Sequence, residues 1–385
     1  MPEPAPAPLS ILDLSPVSEG SSVRTALHNS VDLARRAESF GYHRYWVAEH
    51  HFVPGVTSSS PPVLIGAIAA ATSRIRVGSG AMQLGHQTPA AVVEAFGTLA
   101  ELYPGRIDLG LGRSGKRKQQ DRAKAAAAGS SGSSGSPGPD AGPQVVNGVL
   151  VPPPFPLGSV LRSPRLAAQA KMLQQPGAET PDFGEQVDDI LALLAGTYHA
   201  GDVSLQATPG TEADAEVWIL GSSGGQSAQV AGALGLPFAA SYHITPATAL
   251  EAADGYRAAF RPSKFLSRPH VMVSADAVVA STDAEAAELA AGYALWVRSI
   301  RSGAGAMRFP SPSSVAAFDW TDEDRALVED RVATQFAGSP ETVAKQLRVL
   351  QEATGADEVL VTAITHRHED RVRSYELLAR EWGLS

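Results

Sequence analysis

The chain has 385 residues, 44% of them hydrophobic, a formal net charge of −9 and an isoelectric point near 5.6. This length supports one large domain or two ordinary ones, and the acidic balance argues against nucleic acid or an anionic membrane surface as the main partner. Cysteine is absent, so disulfides, thiolate catalysis and sulfur-ligated metals are excluded.

Residues 1–8, Met-Pro-Glu-Pro-Ala-Pro-Ala-Pro, read as a disordered proline-rich tail without the basic or apolar regions of a signal peptide. No stretch approaches the ~20 apolar residues of a membrane span. The expected location is therefore cytoplasmic. Leu9–Leu14 is a short apolar strand, and a helix follows from about Val23 to Phe40, with Gly41 as its stop. Tyr45–Ala48 is a second strand that runs into Glu49-His50-His51-Phe52, and Pro61-Pro62 opens a helix through Ala71. Ile75–Met82 is a third strand. Thr88-Pro89 starts a helix that stops at Tyr103-Pro104-Gly105, and Arg106–Arg113 is a fourth strand.

The alternation lapses after Arg113. From Ser114 to about Pro181 there is no convincing periodicity: a charged run at 116–124, then Ala, Gly, Ser and Pro up to Pro143, then a proline cluster at 152–156. Such a loop is expected to be a mobile lid, an insertion or disorder. Regular structure resumes with a helix at Phe183–Leu194 capped by Asp182. Strands are expected at Glu216–Leu220, Pro237–Tyr242, Val271–Ala280 and Glu358–Thr362. Helices are expected through Leu234, over Pro246–Phe260, Asp283–Arg301 and Thr342–Ala353, and over the closing His368–Trp382. An irregular insertion covers 302–320. Eight strands, most followed by a helix, predict a single (β/α)8 TIM-barrel domain over 9–385, interrupted at 114–181 and 302–320.

In such a barrel the ligand site lies at the C-terminal ends of the strands. The clusters singled out by composition all fall there: Glu49-His50-His51, Gly80-Ala81-Met82, Arg113, and Gly221 to Ser227. The glycine- and serine-rich turn feeds a helix N-terminus, where unpaired N–H groups favour phosphate, although a tight loop capped by serine explains the same residues. Adjacent His50 and His51 should point to opposite sides of an extended strand, a poor spacing for a shared metal. His50 is then either a packed histidine or a general acid/base. His86 sits just past strand three and is expected to line the pocket. A Ser-His-Asp hydrolase is the rival enzyme class, but no Gly-x-Ser-x-Gly elbow stands between a strand and a helix.

Trp46-Val47-Ala48-Glu49-His50-His51-Phe52, Arg76-Val77-Gly78-Ser79-Gly80-Ala81, Pro104 to Arg113, Gly221-Ser222-Ser223-Gly224, Gly235-Leu236-Pro237 and Ser339-Pro340-Glu341 together resemble the bacterial luciferase-like flavin monooxygenases. The resemblance spans roughly 9–113 and 181–383. It implies a barrel that takes FMNH2 from a separate NAD(P)H:flavin reductase, activates O2 as a C4a-(hydro)peroxyflavin, and oxygenates a small or bulky hydrophobic substrate. Carried over by position, His50 is the catalytic histidine. Glu49, Gly80, Ala81, Met82, Arg113, Ser222, Ser223, Gly224, Gly225, Gln226 and Ser227 make the cofactor site, with the phosphate at Arg113 and the 222–227 turn. Gly80-Ala81 matches the family's non-proline cis peptide beneath the flavin ring. Relatives of that family often carry an acidic residue in the phosphate turn, where this chain has serine and glycine. The resemblance also implies a homodimer through the helices near 62–71 and 89–103. Two alternatives stay open: a hydride-transferring oxidoreductase using the deazaflavin F420 on the same barrel, and a non-catalytic flavin-binding protein.

Overall fold

A computed structural model describes residues 5–113, 142–156, 158 and 163–384. Eight parallel strands close on themselves: β1 (Leu9–Asp13), β2 (Arg44–Val47), β3 (Arg76–Ser79), β4 (Ile107–Gly112), β5 (Ala215–Gly221), β6 (Phe238–Ser241), β7 (Val271–Val279) and β8 (Glu358–Thr362). Each pairs with its neighbours in sequence order, and β8 returns to β1. The expected (β/α)8 barrel is the observed fold. Of the expected tail, residues 1–4 lie outside the described residues. Ala7 is buried, and its carbonyl accepts from Trp382 Nε1 at 2.7 Å.

Alternate residues of each strand face opposite ways. Ile11, Tyr45, Val47, Leu109, Ile219 and Val273 join the outer core under the helices, while Leu12, Trp46, Trp218, Met272 and Leu360 fill the barrel itself. Gly78 pairs in register with Trp46 and Gly110 with Trp218, and at both glycines the adjacent strand comes too close for a side chain. A Cβ at Gly78 would stand 2.4 Å from the Asp108 carbonyl oxygen, and one at Gly110 would stand 2.0 Å from that of Ser79. The indoles meet edge to face with centroids 5.2 Å apart, a favourable arrangement for aromatic pairs.

Below them, at the N-terminal ends of the strands, lies a buried layer of charge. Arg44 reaches Asp108 at 2.9 Å, Glu216 at 3.1 Å and Glu358 at 3.2 Å, and its guanidinium sits 4.9 Å from the centroid of Trp218. Arg76 takes the other oxygen of Asp108 at 2.6 Å, and Trp46 Nε1 donates to Asp108 at 2.8 Å.

The helices follow their sequence signals. Ser22 caps α1 (Val23–Ser39), α2 spans Pro61–Ala71, and Thr88 caps α3 (Pro89–Leu102) ahead of Pro89. Between β4 and β5 the structure adds two elements to a segment that showed no periodicity. A hairpin pairs Gln144–Val146 with Val149–Val151 across Asn147-Gly148, both at positive φ, as a two-residue hairpin turn requires. Next comes α4 (Pro164–Met172), which has no fully buried residue, and then α5 (Phe183–Leu194), which opens with an Asp182–Glu185 capping box. The stretch expected to be mobile, 114–143, lies almost wholly outside the described residues.

α6 (Gln226–Leu234) and α7 (Ala249–Ala259) follow β5 and β6. The helix expected over 283–301 is divided into α8 (Asp283–Ala290) and α9 (Gly292–Arg301), and a Cβ at Gly292 would stand 2.8 Å from the Phe309 ring. The insertion at 302–320 thereby delivers Phe309 into the apolar cluster that includes Tyr293, Trp296 and Val297. α10 (Asp322–Ala333), α11 (Pro340–Thr354) and α12 (His368–Trp382) complete the chain. Arg371 of α12 binds Asp13 of β1 at 2.7 Å, both fully buried, and so fastens the last helix to the first strand.

Arg44 is the shared partner of three carboxylates, so Arg44→Met should destabilise the fold by about 3–5 kcal/mol, the cost of leaving buried charges uncompensated. Urea unfolding of the two proteins measures this; equal midpoints would show that the layer adds nothing.

Candidate active site

Above the tryptophans, the strands open into a mouth whose first wall is the turn after β2. The strand ends at Val47 and Glu49 to Phe52 are irregular, so the alternation expected for His50 and His51 does not apply: both side chains border one cavity. Glu49 organises the turn. Its carboxylate contacts His51 Nε2 at 2.7 Å and accepts from the Gln83 backbone N–H at 2.6 Å, while Gln83 Nε2 donates to the Glu49 carbonyl at 2.9 Å. His86 stands edge-on to His51 with ring centroids 5.8 Å apart and, as expected, lines the same cavity.

His50 is placed by its own N–H, which donates to the Ser58 carbonyl at 3.0 Å. Among the described residues its buried Nδ1 has no hydrogen-bond partner. Burial pushes its imidazolium down to a pKa of about 4, against the favourable charge of Glu49 and with some help from His51. His50 is therefore neutral at physiological pH and can accept or relay a proton.

Phe52 ends this turn at φ 53°, an unfavourable conformation for a bulky residue. Its carbonyl accepts from Arg165 and from Gln169 Nε2 at 3.4 Å, and Gln169 also reaches the His51 carbonyl at 3.1 Å. Helix α4, absent from the sequence reading, thus grips the histidine turn. The cavity between them measures about 1810 Å³ and is walled by apolar residues including Val53, Val56, Leu84, Leu166, Trp296 and Ile300.

The second wall is built from β3, β4 and β5. A cis peptide joins Gly80 to Ala81. A Cβ at Gly80 would stand 2.7 Å from Leu12 Cδ1 and 3.3 Å from Trp46. The Met82–Gln83 segment pairs in register with Leu111 and Gly112 of β4, which brings Gln83 alongside Gly112 and next to Arg113. Arg113 Nη1 donates to Gln226 Oε1 at 3.4 Å, in the first turn of α6. Glu49 is thus bonded to Gln83, whose strand runs beside Gly112, and the next residue, Arg113, reaches Gln226 in the 222–227 turn.

That turn has the make-up of an anion cradle. Gly225 is the N-cap of α6, and no side chain among the described residues caps the helix. Thr248 and Thr245 donate to the Ser222 carbonyl, Ser223 Oγ accepts from the Gly225 N–H at 3.4 Å, Gly224 accepts from Gln229 at 3.0 Å, and Ser227 is buried. Gly255 approaches so closely that a Cβ there would lie 2.8 Å from the Gly224 Cα. An acidic group does reach the turn, but from another element: Asp182, the N-cap of α5, accepts from Gln226 Nε2 at 2.8 Å. A cation, a helix N-terminus and closely approaching backbone suit a phosphate.

Sequence reasoning missed three residues of this region: Gln83, Asp182 and Gln169. Among the described residues no group of three or more His, Asp or Glu is placed to hold a metal, and no helix is long and apolar enough to cross a membrane.

Comparison with known proteins agrees with this geometry. The family model for luciferase-like monooxygenases matches residues 8–129 and 161–358. The protein YvbT of Bacillus subtilis is 37% identical over 97% of this chain and 96% of its own, and a luciferase-like monooxygenase of Escherichia coli K12 is 33% identical over 96% and 95%. The crystal structure of apo-MsnO8 superposes with a TM-score of 0.76 at 31% identity, covering 98% of this chain and 99% of that one. Two more distant structures share the fold alone: the oxygenating constituent of 3,6-diketocamphane monooxygenase in complex with FMN (TM-score 0.60, 20% identity, 97% of both chains), and an F420-dependent secondary alcohol dehydrogenase (0.59, 14%, 97% of this chain and 98% of that one).

The depressed affinity of His50 for protons has a measurable sign. Unfolded, the residue titrates near 6.5; folded, near 4. Between these values the unfolded chain binds more protons, so stability is lost as pH falls through the window, by up to about 1.4 kcal/mol per pH unit. Unfolding free energies measured from pH 7 to 4 should therefore fall less steeply for His50→Gln than for the parent protein. Parallel curves would contradict the assignment of a neutral, buried His50.

Proposed function

The chain belongs to the luciferase-like monooxygenase family and is an enzyme; from that premise we propose that it is an FMN-dependent, two-component monooxygenase acting on a hydrophobic organic substrate. The observation that carries the proposal is the contact between Arg113 and Gln226, which brings a cation to the uncapped N-terminus of α6 on the same rim as His50. Arg113 and the N–H groups of the 222–227 turn hold the phosphate, and the backbone at Gly80, Ala81 and Met82 supports the ring. Bound and reduced by a separate NAD(P)H:flavin reductase, FMN supplies the electrons with which O2 is activated. FMN is preferred to F420 on the Glu49-His50-His51-Phe52 run beside the ring position.

The protein's own contributions are binding, orientation, dryness and proton handling. Glu49 is committed to His51 and Gln83, so it orients the histidine turn through two hydrogen bonds while His50 remains neutral. The apolar walls exclude water, which would otherwise divert the activated oxygen from the substrate. At about 1810 Å³ the cavity exceeds the roughly 300–1,000 Å³ of ordinary small-molecule sites, and a bulky apolar substrate fits that space. Exposed Val63 on α2 and Leu102 on α3 supply the surface for a homodimer.

Two variants test this. A charge-assisted hydrogen bond contributes about 1.5–3 kcal/mol, so Arg113→Ala should weaken FMN binding roughly 10- to 100-fold. It should leave riboflavin, which lacks the phosphate, bound as before. Equal losses for both ligands would remove the phosphate role. His50→Ala should keep FMN affinity within about threefold while slowing turnover at least 100-fold, the usual scale of acid–base assistance. Turnover is read as incorporation of ¹⁸O from ¹⁸O2 into long-chain aldehydes, alkanes or aromatic ketones. F420 binding with hydride transfer, and no label in any product, would overturn the reading.

A further inference from the structure

We propose that Arg165 is an acid-binding subsite of the large cavity, so that the substrate is a carboxylate with an apolar body. The inference rests on the functional reading above and deepens it by naming the substrate class.

The cavity wall is mainly apolar, yet among the described residues its lining includes two side chains of fixed positive charge, Arg165 and Lys171, both from α4. Lys171 is exposed. Arg165 is half-buried and held by contacts with two other segments. Its Nη2 donates to the Phe52 carbonyl. Its guanidinium also lies against the backbone of the 302–320 insertion: a Cβ at Gly305, which sits at φ 82°, would stand 3.1 Å from both Nε and Cζ. Gly303 meets the start of α4 in the same way, since a Cβ there would stand 3.2 Å from that of Ser163. The histidine turn, α4 and the insertion thus fix the guanidinium before a ligand arrives, which lowers the cost of binding.

No described carboxylate pairs with this charge. Arg165 Nε is buried without a hydrogen-bond partner, and Nη1 makes no hydrogen bond among the described residues. The lining holds two acidic residues. Glu49 is committed to His51 and Gln83, and exposed Glu179 forms no ion pair with Arg165. A guanidinium with donors to spare beside an apolar wall is costly to dry. A neutral substrate that expels water from the cavity leaves that charge unpaired. A carboxylate pairs with it, and its two oxygens match the planar fork of arginine. The neutral analogue is rejected for the same reason that a site built to hydrogen-bond its ligand rejects one lacking the group.

The position also suits the reaction. Arg165 and Gln169 stand one helical turn apart on one face of α4, and both donate to the Phe52 carbonyl. An acid head bound at Arg165 is therefore anchored beside the turn that carries His50, and the apolar body extends along Val56, Trp296 and Ile300. No bond is made or broken at Arg165; it binds and orients the substrate.

Octanoate, 1-octanol and octylammonium are probes of equal length, titrated calorimetrically into the full-length protein without FMN. Octanoate should bind at least about tenfold more tightly than 1-octanol, the lower end of a charge-assisted hydrogen bond, and octylammonium should bind least. Arg165→Gln should abolish this preference, weakening octanoate roughly tenfold or more while holding 1-octanol within about twofold. Gln169→Ala loosens the same Phe52 carbonyl but leaves the charge, so it should keep the preference. Octanoate bound by the parent no more tightly than 1-octanol, or not at all, overturns the inference. So does an Arg165→Gln protein that loses both probes equally, the mark of a purely structural grip, or a Gln169→Ala protein that loses the preference as fully. A parent that prefers octanoate but binds no FMN would instead strike at the functional reading and leave the acid-binding subsite standing.

Discussion

Asp108 accepts hydrogen bonds from three side chains at once: Arg44, Arg76 and Trp46. These contacts join β2, β3 and β4, and Arg44 extends the set to β5 and β8 through Glu216 and Glu358. Five of the eight strands are thereby set in mutual register from the inside of the barrel. In a dry interior such a layer is costly unless every charge finds a partner. Here one arginine serves three carboxylates, and its flat face lies on the Trp218 indole. The tryptophans pack above it, in register with Gly78 and Gly110, where a Cβ would meet the adjacent strand. The height and shape of the mouth follow from that packing.

On this floor the mouth divides into two chemical halves. Toward β4 and β5, Arg113 and the uncapped start of α6 make positive ground suited to a phosphate. Toward β2, burial keeps His50 uncharged. The strained Phe52 and the grip of α4 on its carbonyl show how the cavity wall is attached: by hydrogen bonds to backbone, with little burial of the helix itself.

Much of this was legible in the chain. The barrel followed from strands and helices alternating at short spacing. Thr88 and Asp182 announced helix starts, and both accept the expected capping hydrogen bonds. The clusters at Glu49-His50-His51, Gly80-Ala81, Arg113 and 222–227 were visible because chemistry-bearing residues gather at strand ends, where the fold concentrates its ligand site. Val-Val-Asn-Gly-Val-Leu-Val at 145–151 was equally readable as a hairpin, yet the low-complexity tract before it and the prolines after it masked the signal. Helix α4 left less trace, because a helix with no buried face has little hydrophobic periodicity to show.

The sequence by itself determined the barrel, the order of its strands and the rim on which the site lies, because these depend on local periodicity and on the chain's own direction. Tertiary structure alone decided the partnerships. Asp182 meets Gln226 across 44 residues, Glu49 meets Gln83 across 34, and Ser274 meets His243 across 31. It also decided that His50 and His51 share a cavity, since the strand ends before reaching them. Protonation states belong to this second class: a histidine's affinity for protons is set by burial and by neighbours the fold brings from elsewhere, and no local pattern in the chain encodes either.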